Sequence, residues 1–377
     1  LGIIVSVKVV LAFDSFKGSM TAPQAVSAAA EGVLEACPEA EVVSLPMADG
    51  GEGTAEILCH YMKANSLTCS AHDPLMRPIE AQYAVSDDSQ TAIMDMATAA
   101  GLTLLSTAER NPMVTTTFGF GEMIRDAVAR GCGHILIGIG GSSTCDCGMG
   151  MLAALGVVFR DKGGNLLEPI GRNMTDVASI EWGGLLDLEH VALDVMCDVE
   201  NPLYGENGTA MVYARQKGAT DADIAALERG LRHFASLCDL DPDTPGSGAA
   251  GGLGYALLLL GARLHKGAEL VMRAARLDEH LRGADLILTG EGKIDSQTLN
   301  GKLPYAVMLS AGRASVPCVA LCGKVDDGFA DAGFKGVYSI NKVAQEADNV
   351  MQTEVAMHNM RATAALVVQE FCLPLHR

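Results

Sequence analysis

The chain has little positive charge and no long hydrophobic run. Among its 377 residues, 27 Lys and Arg stand against 46 Asp and Glu, which gives a formal net charge of -19 at pH 7. A field of this sign repels polyanions, so the composition argues against nucleic acid and anionic membranes as partners. The nearest approach to a membrane span, Ala249 to Leu264, is broken by four glycines and contains Arg263. Anionic ligands must therefore be captured by local lysines, metal ions and helix N-termini.

The cysteines lack the spacing of a disulfide framework. There are 11 of them, an odd number with no repeated interval, which is typical of a reducing compartment. Cys145 and Cys147 have no C-x-x-C spacing and no second pair of similar form, so a metal or redox site there is disfavoured. The stretch Leu1 to Phe13 contains Lys8 and no small-residue cleavage site, which favours a buried strand over a signal peptide. These features predict a cytoplasmic protein.

Two common phosphate-binding signatures are also absent. Counted from Gly138, the third glycine of a Rossmann fingerprint is replaced by Ser143, and no Gly-Lys pair is followed by the Ser or Thr of a P-loop. What is present is the run I-L-I-G-I-G-G-S-S-T-C-D-C-G-M-G from Ile135, in which an apolar strand enters a turn rich in glycines and hydroxyls before a helical run. Such a turn frees backbone N–H groups to surround an anion at a helix N-terminus. The predicted phosphate-binding residues are Gly140, Gly141, Ser142, Ser143 and Thr144. The alternative is a tight turn whose small residues allow close packing.

Short apolar strands precede polar turns along the whole chain. Val7 to Phe13 leads into D-S-F-K-G-S, and a helix is predicted over about Pro23 to Ala36, with Thr21 and Gln24 in capping-box spacing. This alternation is typical of parallel α/β sheets, while Ala81 to Asp95 alternates as antiparallel or mixed strands do. The length suggests two domains. Since ligands bind at the carboxyl ends of parallel strands, we expect motifs from both halves to converge on one cleft.

Charged side chains stand at the first two predicted strand ends. Lys17 follows Asp14 and Ser15, and a lysine there can meet a phosphate or carboxylate, although an exposed loop lysine is an equally ordinary explanation. Asp49 and Glu52 flank two glycines, and carboxylates on a tight turn suit Mg²⁺. Acidic residues that cap a helix explain the same pattern.

Two later strand ends also carry acidic residues. Asp198 follows a predicted strand, with Asn201 beyond it, and can accept a proton from a substrate hydroxyl or simply form a turn. Glu291 and Asp295 lie on either side of Lys293 and offer carboxylates together with a cation.

These motifs together resemble the type I glycerate kinase family. The matching pieces run in family order from about Val7 to the C-terminus: A-F-D-S-F-K-G-S from Ala12, P-M-A-D-G-G-E-G-T from Pro46, D-P-L-M-R-P from Asp73, R-N-P from Arg110, G-I-G-G-S-S-T from Gly138, C-D-V-E-N-P-L-Y-G from Cys197, Q-K-G-A from Gln216, G-A-A-G-G-L-G from Gly248 and T-G-E-G-K-I-D-S-Q-T from Thr289. The resemblance implies phosphorylation of D-glycerate that depends on ATP and Mg²⁺, with 2-phosphoglycerate as the product.

The resemblance also implies a domain organisation, and the residues at the predicted strand ends suggest roles in the reaction. A Rossmann/flavodoxin-like parallel-sheet domain is expected from residues 1–72 and 283–377, with an inserted α/β domain of residues 73–282, in a monomer or homodimer. The expected roles are catalytic for Asp198 and Lys17, substrate or phosphate binding for Asp14, Ser15, the loop 140–144, Asn201, Glu291 and Lys293, and metal binding for Asp49, Glu52 and Asp295.

Two alternatives and some departures from the family pattern accompany this interpretation. A non-catalytic glycerate- or nucleotide-binding protein on the same fold would lose the carboxylates, which this chain keeps. An oxidoreductase is disfavoured because no dinucleotide fingerprint is present. Phe13 and Arg215 stand where the family often has proline, and Cys145 and Cys147 stand where it has Asn and Gly. Because cysteine adopts a positive φ less readily than glycine, Cys147 affects the expected geometry of the loop but not the reaction class.

Overall fold

The computed structural model describes residues 7–51, 53–295, 298, 302–326, 329, 333–343 and 349–371. The chain divides into two compact units, one of Leu1–Ile57 with Lys266–Arg377 and one of Leu58–His265. Both are α/β, as predicted. Within the described ranges, no helix combines the length and the apolar character needed to cross a membrane.

The unit boundaries differ from those expected after residues 72 and 282, for two physical reasons. The strand Asn65–His72 pairs along its whole length with Pro78–Val85, so it belongs to the sheet of the second unit. The helix Gly267–Ala274 packs against the turn of the first unit, where a Cβ on Gly267 would come within 2.2 Å of the Gly50 Cα. The chain therefore crosses between units before the first of these strands and returns ahead of that helix.

The first unit is built on a five-stranded sheet in which every pairing is parallel. The strands, in spatial order, are Gly336–Ser339, Cys318–Cys322, Leu286–Gly290, Lys8–Phe13 and Glu41–Pro46. Both ends of the chain thus contribute to one sheet. Its helices are Ala22–Ala36, Thr54–Met62, which leads into the second unit, Gly267–Ala274, Leu277–His280, Leu303–Arg313, Ile340–Val343 and Thr353–Phe371, and Lys293–Ile294 pairs with Lys324–Val325 in a small ribbon.

The helix Ala22–Ala36 shows how local sequence sets an element. It begins with the predicted capping box, because the Thr21 hydroxyl accepts from the Gln24 N–H and the Gln24 side chain accepts from the Thr21 N–H. Gly32 then allows a close approach to the helix Thr353–Phe371, since a Cβ there would lie 2.1 Å from the carbonyl oxygen of Arg361. The helix pair buries the apolar face of the sheet.

The second unit is built on a six-stranded mixed sheet. The strands, in spatial order, are Arg263–His265, Ala192–Met196, His134–Gly138, Thr91–Asp95, Pro78–Val85 and Asn65–His72. The first four run parallel and the last two pair antiparallel, which confirms the mixed character predicted for residues 81–95. Its helices are Ala97–Ala100, Phe118–Ala129, Met149–Ala154, Thr209–Tyr213, Asp221–Ser236 and Ala249–Leu259, with 3₁₀ turns at Leu102–Leu104, Thr107–Glu109, Gly171–Asp176 and Arg215–Lys217, and a ribbon of Val158–Arg160 with Ser179–Glu181.

The start of the helix Ala249–Leu259 is irregular. The helix Ala249–Leu259 contains three residues of positive φ, Ala250, Gly251 and Gly252, so regular helix begins only beyond them. The reason is a close approach to the glycine-rich loop, because a Cβ on Gly251 would lie 2.0 Å from the Thr144 carbonyl oxygen. The polar turn that ends at Asp295 predicts a further helix from about Ser296, a residue outside the described ranges.

Candidate functional site

The glycine-rich loop after the strand His134–Gly138 has an exposed part and a buried part. Gly140 and Gly141 are exposed, and a Cβ on Gly140 would meet no atom within 4 Å. Gly141 has a φ of +68°, which glycine adopts without strain. Both residues are exposed, and the backbone at Gly140 faces open space, as an anion-binding loop requires.

The hydroxyl residues of the loop lie beneath this surface. Ser142, Ser143 and Thr144 are all buried. The Ser143 hydroxyl donates to the carbonyl of Ala100 at 2.9 Å, and the Ser143 carbonyl accepts from Thr115 Oγ1 at 3.0 Å. These contacts show how the loop is held in shape. The direct phosphate contacts expected of its hydroxyl groups stay a prediction.

Lys217 lies directly below the loop and was not singled out from the sequence. Its Nζ donates to Ser142 Oγ at 2.5 Å and to the Thr144 carbonyl oxygen at 2.7 Å, and only 2% of the residue is exposed. Burial lowers the pKa of this lysine to about 8, against the opposing effect of Cys145 and Asp146. Its sequence signal was only the matched string Q-K-G-A, because a lone lysine is most often at the surface.

Asp146 ties the loop to the helix that follows. Its Oδ2 accepts from the Thr117 N–H and hydroxyl, both at 2.8 Å, and from the Gly150 N–H at 3.1 Å, while Oδ1 accepts from the Gly148 N–H at 3.2 Å. Burial raises the pKa of this carboxyl, and the donors from Thr117, Gly150 and Gly148 act in the opposite direction. Asp146 therefore caps the start of the helix Met149–Ala154 from a fully buried position.

We expect Asp146→Asn to lower the free energy of unfolding by about 2 kcal/mol, because an amide turns an N–H₂ group toward buried donors and leaves at least one unpaired. Urea denaturation followed by circular dichroism measures the change. Asp161→Asn, at a carboxylate that accepts only exposed loop contacts, is the matched control. If both variants lose the same free energy of unfolding, the buried N–H and O–H donors around Asp146 do not require a carboxylate, and the prediction is wrong.

The two cysteines of the loop are buried, and Cys147 holds a left-handed conformation with a φ of +51°. This is the position where the resemblance implies glycine, so the backbone keeps the expected shape despite the side chain. Burial raises the pKa of the Cys145 thiol to about 12 and raises that of Cys147 as well. Both thiols are therefore protonated at neutral pH, whereas metal ligation and nucleophilic attack use the thiolate.

Asp198 and Asn201 follow the strand Ala192–Met196 in different settings. Asp198 is exposed. The Asn201 amide nitrogen donates to the Asn207 carbonyl at 2.7 Å, and its oxygen accepts from the Tyr213 hydroxyl at 2.7 Å. Asn201 thus uses both ends of its amide to shape the loop, and the substrate contact expected for it stays a prediction.

Asp194, inside the same strand, is engaged in an ion-pair network. It accepts from His265 at 2.7 Å, from His134 at 2.8 Å and from the Arg263 Nε at 2.9 Å. Burial alone would raise the pKa of this carboxyl, but the bonds from these three residues outweigh it and hold the pKa below its usual value. The network fixes Asp194 as a structural anion across three neighbouring strands.

Three carboxylates of the first unit influence one another at the ends of its strands. Asp14 is buried, and its pKa is raised to about 7 by burial first and by the negative charges of Asp49 and Glu291 next. The N–H of Ser15 donates to Asp14 Oδ1 at 2.6 Å, which acts against that rise. Asp14 therefore keeps its proton to a higher pH than an ordinary aspartate does.

Glu291 is the member of this group with a cation beside it. Lys302 Nζ lies 3.4 Å from Glu291 Oε2, and the Thr298 hydroxyl donates to Oε1 at 3.0 Å. Burial still raises the pKa of Glu291 above its usual value, in spite of these two partners. Lys302 was not predicted from the sequence, because it stands eleven residues further along the chain and only the fold brings it next to Glu291.

The remaining predicted residues lie in less specific surroundings. Lys17 is exposed on the turn after the first strand. Lys293 forms ion pairs with Asp295 at 3.1 Å and Asp326 at 2.7 Å, so its charge is already balanced by acidic neighbours. Glu52 lies outside the described residues. Across the described part of the chain, no three His, Cys, Asp or Glu side chains form a group arranged to hold a metal ion.

Comparison with known proteins gives a consistent family. A model of the glycerate kinase family matches residues 9–371. A glycerate kinase of Bacillus cereus is 38% identical over 366 residues, which is 95% of this chain and 96% of that protein. A glycerate 2-kinase of Escherichia coli K12 is 39% identical over 343 residues, which is 89% of each chain.

A solved structure extends the likeness to three dimensions. The crystal structure of a protein described as glycerate kinase 2 from Salmonella typhimurium LT2 matches with a TM-score of 0.86 and 37% sequence identity, over 99% of this chain and 100% of that one. The match confirms the predicted two-domain α/β architecture.

Proposed function

Because the chain belongs to the glycerate kinase family, we propose that it transfers the terminal phosphoryl group of ATP to the 2-hydroxyl of D-glycerate, giving 2-phosphoglycerate and ADP. The observation that carries the proposal is the glycine-rich loop, whose exposed backbone at Gly140 and Gly141 stands over a buried lysine. Backbone N–H groups and a nearby cation are the features that bind phosphate groups in proteins.

The proposed roles follow the chemistry of phosphoryl transfer, in which positioning and charge neutralisation dominate. Asp198 orients the attacking hydroxyl and takes its proton. Lys17 and the loop 140–144 bind anionic groups of the substrates. Ser15, through its N–H bond, orients Asp14 in the carboxylate cluster, and Asn201 acts by holding the loop after Asp198 in shape.

We propose that a divalent cation acts near the strand ends of the first unit, where the described carboxylates do not by themselves form a metal-binding group. The negative charge of Asp49 contributes to raising the pKa of both Asp14 and Glu291, so a nearby cation would favour their ionised forms. Oxygen ligands with retained waters are what Mg²⁺ prefers. We propose that Asp49, with Glu52 and Asp295, holds Mg²⁺ close to these carboxylates. The ion would supply charge neutralisation for the phosphates of the nucleotide.

A protein that binds glycerate or nucleotide without catalysis is the alternative. It would keep the glycine-rich loop and need no carboxylate cluster, whereas burial of Asp14 and Glu291 near one another is costly unless a cation or substrate uses them. Incubation with ATP, Mg²⁺ and D-glycerate followed by phosphorus NMR separates the two functions. A new phosphomonoester signal supports the kinase, and unchanged ATP with measurable binding supports the alternative.

We expect the product to be 2-phosphoglycerate, and enolase is a direct test because it accepts this isomer and not 3-phosphoglycerate. The kinase reaction is coupled to enolase without phosphoglycerate mutase, and phosphoenolpyruvate is followed by its absorbance. We expect signal at once, and mutase should not increase it. If signal appears only after mutase is added, the 3-hydroxyl is the acceptor and the assignment is wrong.

A further inference from the structure

Lys217 is a buried lysine whose hydrogen-bond partners carry no charge. Its two hydrogen-bond partners, Ser142 Oγ and the Thr144 carbonyl, are neutral oxygens, and the residue is 2% exposed. Asp146, the carboxylate that acts on it electrostatically, is committed to donors from Thr117, Gly148 and Gly150. Burying an ammonium group without a carboxylate bonded to it is unfavourable, which suggests that Lys217 is kept at this position for a functional reason.

The surroundings of Lys217 contain further unused polar groups. In the part of the chain that the structure describes, Thr144 Oγ1 and Arg110 Nε are buried without a hydrogen-bond partner. Arg110 is packed directly against the residue after Lys217, because a Cβ on Gly218 would lie 2.1 Å from the Arg110 carbonyl oxygen. Native proteins satisfy nearly all buried polar atoms, so the unpartnered Thr144 Oγ1 of the loop itself is a second, independent sign of a ligand at this loop.

From these observations we propose that Lys217 is a positioning residue for nucleotide phosphate, which locks the loop from Ser142 to Thr144 from below and sets a positive charge under the exposed backbone of Gly140 and Gly141. The inference rests on the proposed function. Lys217 does not touch the ligand. Its two bonds hold the residues on both sides of Ser143, so the glycines that precede them keep one conformation. A loop fixed before binding loses less entropy when the anion arrives.

The charge and the hydrogen bonds of Lys217 can be separated by pH. A neutral amine keeps two N–H donors, enough for Ser142 and Thr144, but no longer attracts an anion. Burial places the pKa of Lys217 at about 8, and the groups that face it are Cys145 and Asp146 of the loop, with Arg110 on the adjoining segment and Glu228 near Cys145. The value of kcat/KM for ATP should therefore fall about tenfold as pH rises from 7 to 9.5, since this ratio reports ionisations of the free enzyme.

The experiment compares the wild type with Lys217→Met and, as a matched control, with Lys162→Met at an exposed lysine of the same unit. At pH 7 we expect Lys217→Met to raise the KM for ATP about tenfold with less than a threefold change in kcat, and to remove the decline above pH 8. Lys162→Met should behave as the wild type. An unchanged KM for ATP in a folded Lys217→Met protein, or an effect on the KM for glycerate alone, would overturn the proposal.

Two further measurements keep the test decisive. If Lys217→Met does not fold, the wild-type pH profile stands in its place, and the absence of an ionisation near pH 8 contradicts the role of the charge. Calorimetric titration of each protein with ATP in the absence of glycerate is independent of turnover. If the wild type shows no kinase activity but binds ATP more tightly than Lys217→Met does, the positioning role is supported and the proposed reaction is refuted. A failure of the proposed function can therefore be told apart from a failure of the inference about Lys217.

Discussion

Asp198→Asn should lower kcat about a hundredfold or more while leaving the Kd for nucleotide within about twofold, because loss of a general base costs roughly this much. The substitution keeps the size and the hydrogen-bonding reach of the side chain but removes its charge and basicity. Asp198 is the candidate because it is exposed at the end of the strand Ala192–Met196. Asp194 of the same strand is already bonded to His134, His265 and Arg263 and cannot serve.

The measurement is a steady-state titration of D-glycerate at saturating ATP, with nucleotide binding followed separately by calorimetry. Asp243→Asn, at an exposed aspartate of the same unit, is the control and should keep the wild-type kcat. A kcat for Asp198→Asn close to that of the wild type would remove Asp198 from the mechanism. Asp49, Glu291 and Asp295 would then be tested as the base.

Features set by neighbouring residues were predictable from the sequence. The capping box of Thr21 and Gln24 and the cap of Asp221–Ser236 by Thr220 depend on side chains three residues apart, and both are present in the structure. The alternation of strand, polar turn and helix likewise predicted parallel sheets, because each strand–helix–strand motif spans only about 30 residues. Local signals of this kind do not require knowledge of the fold.

Features set by distant residues were not predictable in the same way. Lys217 and Ser142 are 75 residues apart in the chain, and neither sequence segment by itself predicts the hydrogen bond between them. The parallel-sheet rule brings Asp14, Asp49 and Glu291 to one edge, but it does not give their burial, which decides their pKa values. The engagement of Asn201 with Tyr213 similarly appears only when the loop is folded.

Asp14→Asn should stabilise the fold while it impairs the reaction. Burial and two neighbouring carboxylates raise the pKa of Asp14 from its ordinary 3.8 to about 7. Between these values the folded protein keeps a proton that the unfolded chain releases, so the contribution of this group to stability falls as pH rises through about 4 to 7 and is lowest above 7. An uncharged amide avoids that cost and can still accept from the Ser15 N–H.

We expect the free energy of unfolding of Asp14→Asn to equal that of the wild type near pH 4 and to exceed it by about 2–4 kcal/mol at pH 8, since one pKa unit corresponds to about 1.4 kcal/mol. Urea denaturation at a series of pH values measures this difference, with Asp243→Asn as a control that should show none. Over the same range kcat/KM should be at least about a hundredfold lower in the variant, because a stabilising change at a strained, functional carboxylate removes the charge that catalysis uses. A variant less stable than the wild type at pH 8 would show instead that the negative charge of Asp14 is compensated in the folded protein. The proposal of a cation near these carboxylates would then lose its support.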